Sequence, residues 1–189
     1  MVDHFPDKDT EYCRQAIEYL TQSVNLVAST QRGSTLRTLH FLAYLSFNII
    51  RQKPLKQLTK NETINIKQAE EIFDALIIQL ENAQHYKNFF LLSSYHHIGL
   101  IQETIYENFE KAQQFYSKGI EQKHIPSCMS LSKLHMHKQN YAEALELAKK
   151  GLSYAQKQKD AEATASTQEL INQIKEIQNQ SKQLACQLT

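Results

Sequence analysis

Tryptophan is absent from the 189 residues, and glycine, proline and cysteine are scarce, at 4, 3 and 3. Each shortage excludes something. A β-rich fold of this size needs many turn residues, so the low Gly and Pro content points to helices. Cys13, Cys128 and Cys186 are odd in number, far apart and without CxxC spacing. That excludes a disulfide framework and a zinc finger, and fits reduced thiols in the cytosol. A net charge of +1 supplies no overall attraction to nucleic acid or an anionic membrane. Long apolar runs are missing too. The richest, "LHFLAYLSFNII" (Leu39–Ile50), contains His, Ser and Asn and falls short of the ~20 residues that cross a bilayer. The polar start "MVDHFPDKDTEY" has no secretory core. A cytoplasmic location without membrane insertion is the expectation. The Ile-, Asn-, Gln- and Lys-rich composition is of the kind that AT-rich bacterial genomes encode.

What is present is helical periodicity. A first helix is expected over Thr10–Ala28, capped by Asp9, with Ile17, Leu20, Val24 and Val27 on one face. "STQRGS" breaks it at Gly33, and a second helix runs from Ser34 to Gln52, before Pro54. These make an N-terminal hairpin over 1–52. Residues 53–62 form a linker within the basic stretch "RQKPLKQLTKNE", whose charge suits a solvated loop or a docking patch. Further helices are expected over Thr63–Ala83, Asn88–Tyr106, Phe109–Gln122, Pro126–Lys138, Tyr141–Lys157 and from Asp160 to Cys186. The helix from Asn88 is apolar on more than one side, so it belongs inside a stack. Asn140 and Glu143 suggest a capping box, and Glu146 and Lys150 an i,i+4 pair. The expected fold is all-α: a single domain of about eight stacked antiparallel helices, with hairpins over 63–158 and a capping helix over 160–186.

"FEKAQQFYSKGI" (Phe109–Ile120) and "YAEALELAKKGL" (Tyr141–Leu152) align at a 32-residue offset. Phe109, Ala112, Gly119 and Ile120 match Tyr141, Ala144, Gly151 and Leu152. A glycine inside a helix costs about 1 kcal/mol relative to alanine, so Gly119 and Gly151 need a reason. Close approach of a neighbouring helix is one, and Gly99, also mid-helix, fits it. The pattern resembles the tetratricopeptide repeat, a helical hairpin with small residues where its helices meet. Tyr95, Ile98 and Gly99 stand at first-helix positions, and Phe109, Ala112, Tyr116 and Gly119 at second-helix positions. In the next unit these are Cys128, Leu131 and Ser132, then Tyr141, Ala144, Ala148 and Gly151. The resemblance covers residues 92–155. The chain departs from it in one extra residue between Gly99 and Phe109, in a 32-residue spacing where the family has about 34, in Ala148 where the first unit has Tyr116, and in the lack of a proline after the second helix. Ala69 and Phe73 suggest a divergent earlier unit, and the related Sel1-like repeat shares the hairpin design. Repeat stacks need polar-faced ends. Leu170, Ile174, Ile177, Leu184 and Leu188 suit a capping helix, or a homodimeric coiled coil with Ser181 in its seam.

Chemistry is hard to find. Among the histidines, His96–His97 and His135/His137 lack the i,i+4 spacing of helical zinc sites, so no metal is expected. No GxSxG, P-loop or GxGxxG occurs, and Cys128 falls on a packing position, so neither a catalytic residue nor a cofactor is expected. No basic stripe with interleaved aromatics suits nucleic acid. The resemblance implies instead a non-catalytic interaction module (adaptor, chaperone or assembly subunit) holding a protein, peptide or helix in a concave groove. Groove positions would be Ser93, His96, Leu100, Glu103 and Thr104, then Met129, Lys133, Met136 and His137. The Met pair suits variable shapes, and Lys133 an acidic or carboxylate-bearing partner. A peptide-receptor or signalling fragment and an enzyme with an unrecognised site are the alternatives.

Overall fold

In the computed structural model the described residues are 37, 40, 41, 43, 44, 47, 48, 58–81 and 89–187. The helix expected over Thr10–Ala28, the Gly33 turn, Pro54, Cys13 and Leu188 lie outside them, as do the side chains of Leu184 and Cys186. Among the described residues all regular structure is α-helical and no strand occurs. Six helices follow in order: α1 (Lys60–Glu81), α2 (Phe89–Thr104), α3 (Phe109–Glu121), α4 (Ile125–His137), α5 (Tyr141–Gln158) and α6 (Ala161–Gln187). The chain divides into two compact units, Met1–Asn108 and Phe109–Thr189.

In the first unit, α1 starts earlier than the expected Thr63, because Thr59 and Glu62 form a capping box. The Thr59 N–H donates to Glu62 Oε2 at 2.8 Å, and the Glu62 N–H to Thr59 Oγ1 at 3.2 Å. Its apolar stripe of Ile66, Ala69, Phe73, Leu76 and Leu80 is buried against α2. From α2 come Leu91, Tyr95, Ile98 and Ile101, and from the preceding helical residues Ala43 and Phe47. Off the α2 stripe Leu92 is buried too, whereas Phe89 is 72% exposed, so the two-sided burial expected of α2 holds only in part. Glu70 ties the two helices, accepting from Gln102 Nε2 at 2.6 Å and from the Tyr106 hydroxyl at 3.1 Å. Burial, then the Glu70 carboxylate, push the Tyr106 phenol up to about 12.

In the second unit, α3 to α6 are joined by short turns, and each packs on the next. The scarce glycines do not make these turns. Lys123, Gln139 and Lys159 take the left-handed conformation, at φ 64°, 61° and 56°. Each closes a Schellman motif: the His124, Asn140 and Asp160 N–H groups donate to the carbonyls of Gly119, His135 and Ala155 at 3.0, 2.9 and 3.0 Å. Asp160 also caps α6, accepting from the Ala163 N–H at 2.9 Å. Asn140 precedes α5, but its side chain makes no capping bond, so the expected capping box does not form. Glu146 pairs with Lys149 at 3.1 Å, not with Lys150; the pair is exposed and worth little.

Gly119 and Gly151 are both buried at helix contacts. A Cβ on Gly119 would run into Ser127 of α4, overlapping its Oγ and lying 3.0 Å from its Cβ. Ser127 cannot swing away freely, since its Oγ shares a 2.8 Å hydrogen bond with His124 Nδ1. A Cβ on Gly151 would lie 3.1 Å from Cys128 Cβ and 3.4 Å from Thr167 Cγ2, between α4 and α6. Ser132 Oγ donates to the Ala144 carbonyl at 2.7 Å, which brings α4 close to the α5 backbone. Around these points Tyr116, Cys128, Leu131, Leu134, Leu170, Ile171 and Ile174 fill the core. The stripe expected on α6 is corrected at Ile177, which is 36% exposed, while Thr167 and Ile171 join Leu170 and Ile174 in the interior.

Three substitutions test this geometry. Gly119→Ala should lower unfolding stability by about 1–3 kcal/mol, where an unhindered helix site would gain about 1. Gly151→Ala should cost less, because its neighbours need to yield only slightly; denaturant melts of both variants check the order. Lys159→Gly should stabilise by up to about 1 kcal/mol by relieving a left-handed lysine, read from the same melts.

Candidate functional site

The second unit carries an open cleft of about 850 Å³. Gln113, Ser117, Ile120 and Glu121 reach it from α3, at the spacing of one helix face. Leu131 and His135 of α4 and Gln139 just beyond it supply the facing stripe. From α5 come Tyr141, Ala142, Glu143, Leu147 and Lys150, and from α6 Gln178. Ile120 and Leu131 are buried, whereas Glu121, Glu143 and Lys150 are exposed. The cleft thus combines an apolar base with amide and charged groups of both signs. His135 Nδ1 is buried there with no hydrogen-bond partner among the described residues. Tyr141 is held by a 3.1 Å hydrogen bond to Ser181 of α6.

The nine groove positions expected from the sequence are divided between the units. Four stand on α4, away from the stripe that lines the cleft. Lys133 and His137 are exposed. Met129 and Met136 are half-buried against Ala144, Ala148, Leu170, Ile171 and Ile174, so part of their surface fills the junction of α4, α5 and α6. The other five stand on α2. Ser93 is buried, and its carbonyl lies 2.6 Å from His97 Nδ1. A carbonyl only accepts, so Nδ1 carries the proton. His96 is half-buried beside the His97 ring, with centroids 5.5 Å apart. Leu100 and Glu103 are half-buried; Thr104 is exposed and donates to the Leu100 carbonyl at 2.8 Å. The cleft residues were missed by sequence reasoning, although the Leu131, His135, Gln139 spacing was available as a signal.

The Cys128 thiol is buried, and desolvation pushes it up to about 11, so it stays protonated near neutrality. With Gly151 packed on its Cβ, this cysteine is part of the core. Among the described residues no three metal-ligating side chains come together, and no helix is long and apolar enough to cross a membrane. No protein-family model matches the sequence, and neither curated proteins nor solved structures return a match.

The first unit holds an aromatic cluster built on two histidines. His97 stacks on Phe73 with centroids 5.2 Å apart and planes at 9°. His40 meets Phe73 edge-on at 5.7 Å and His97 at 5.8 Å. Burial, then the neighbouring His97, lower the His40 pKa from 6.5 to about 4. The unfolded chain takes up this proton from about pH 6.5 downward, the folded chain only from about pH 4. Stability from neutral His40 is therefore complete above pH 6.5 and is lost as pH falls toward 4. Denaturant melts across that window should show the decline in the wild type and a flatter profile in His40→Phe.

Proposed function

We propose that this chain is a non-catalytic interaction module of tetratricopeptide-like helical hairpins. It holds a peptide or helix of a partner protein as a cytoplasmic adaptor, chaperone or assembly subunit. The observation that carries this reading is the open cleft on α3, α4 and α5, with its apolar base and polar rim. Its size suits a few side chains of a bound segment. Two features support hairpins of the tetratricopeptide kind. The small residues repeated at a 32-residue offset are buried. Ser132 and Ala144, small positions of the second repeat, meet through a hydrogen bond from the serine hydroxyl to the alanine carbonyl. The cleft offers mixed charge, from Glu121, Glu143 and Lys150, so the partner segment carries polar groups of both signs around an apolar anchor.

Lys133 and His137 form the competing surface on the other side of α4. Immobilised full chain, with Lys150→Glu and Lys133→Glu variants alongside, distinguishes the two by partner capture and mass spectrometry. Lys150→Glu should lower recovery of the captured protein by about ten-fold, the size of one lost charge contact in a partly desolvated site, with helicity unchanged. Loss confined to Lys133→Glu would move the partner to the other face. Unchanged capture by both variants would remove the interaction reading.

A further inference from the structure

The first unit contains a second cavity, of about 550 Å³, that the proposed function leaves unused. It lies between the helical residues Arg37, His40, Phe41 and Tyr44 and the start of α2. Its volume falls within the range of small-molecule sites, roughly 300–1,000 Å³. Six of the eight described residues that line it carry rings: His40, Phe41, Tyr44, Phe89, Phe90 and His97. Phe41 and Phe89 remain 51% and 72% exposed, so aromatic surface stays open to water.

Two polar features distinguish this cavity from an ordinary apolar dent. His40 is only 8% exposed, and its Nε2 is buried without a hydrogen-bond partner among the described residues. Arg37 brings a permanent charge to the lining. It stands three positions before His40 on the same helical face. Burial keeps His40 neutral near pH 7, so the charge here is that of the guanidinium. The walls favour a flat aromatic body, which can stack on or meet rings edge-on. The guanidinium favours a carboxylate, which it can bind through two parallel hydrogen bonds.

We infer that this cavity binds a small aromatic carboxylate of the indoleacetic or phenylacetic class. The ring lies among Tyr44, Phe89 and Phe90, and the carboxylate faces Arg37. This site is independent of the cleft on α3, α4 and α5.

The absence of tryptophan makes the test direct, because indole emission then reports the ligand alone. Indoleacetate titrated with the full chain should show a saturable anisotropy rise with a sub-millimolar Kd. Arg37→Gln should weaken indoleacetate by about ten-fold, the loss of one charge-assisted pair, and leave uncharged indole nearly unaffected. Failure of indoleacetate to saturate at millimolar concentration would overturn the inference, as would equal affinity of the wild type and Arg37→Gln for it.

Discussion

The second unit depends on backbones coming close enough that no side chain fits between them. At Gly119 the obstacle is Ser127, and at Gly151 it is Cys128 on one side and Thr167 on the other. The second case matters more for architecture, since α5 is held between α4 and α6 at one residue. Small side chains cluster around these points: Ala112, Ala144, Ala148, Ser127 and Ser132 are all fully buried. Large residues then fill the space left beside them. Close packing of this kind gains dispersion contacts and excludes water, which offsets the intrinsic cost of glycine within a helix.

The turns are made without glycine. With two glycines placed in α3 and α5, the Schellman turns fall on Lys123, Gln139 and Lys159. Their side chains are long and lie at exposed positions, so the left-handed backbone is a local strain without a packing conflict. The turns are nevertheless well determined, because the motif satisfies carbonyls that a helix end would otherwise leave open. Rigid turns hold consecutive helices in register, and register is what gathers side chains of α3, α4 and α5 around one cleft.

The two units present different surfaces. The cleft of the second is polar at its edge and carries charges of both signs, suited to a segment of another protein. The cavity of the first is walled by rings, with Arg37 in its lining. His40 shows how burial decides the chemistry of a residue: a side chain that would be charged at the surface below about pH 6 is held neutral within the aromatic cluster.

Much of the helical order was determined by sequence alone. The i,i+3,i+4 periodicity placed α1 to α6 to within a few residues, because amphipathic burial has a local signature. The glycine register was legible too, since a mid-helix glycine is costly and its recurrence at a fixed offset marks a repeated close contact. The early start of α1 was missed, although Thr59 and Glu62 stand at the three-residue spacing of a capping pair. Tertiary structure decided what periodicity cannot: that Ile177 faces water while Ile171 does not, that Glu146 turns to Lys149, and that Met129 and Met136 lean on α5 and α6. It also decided the cleft, since which stripe of α4 stays open depends on where α3, α5 and α6 come to rest. A helix carries several candidate faces in its sequence, and only the neighbours that cover some of them determine which one remains available.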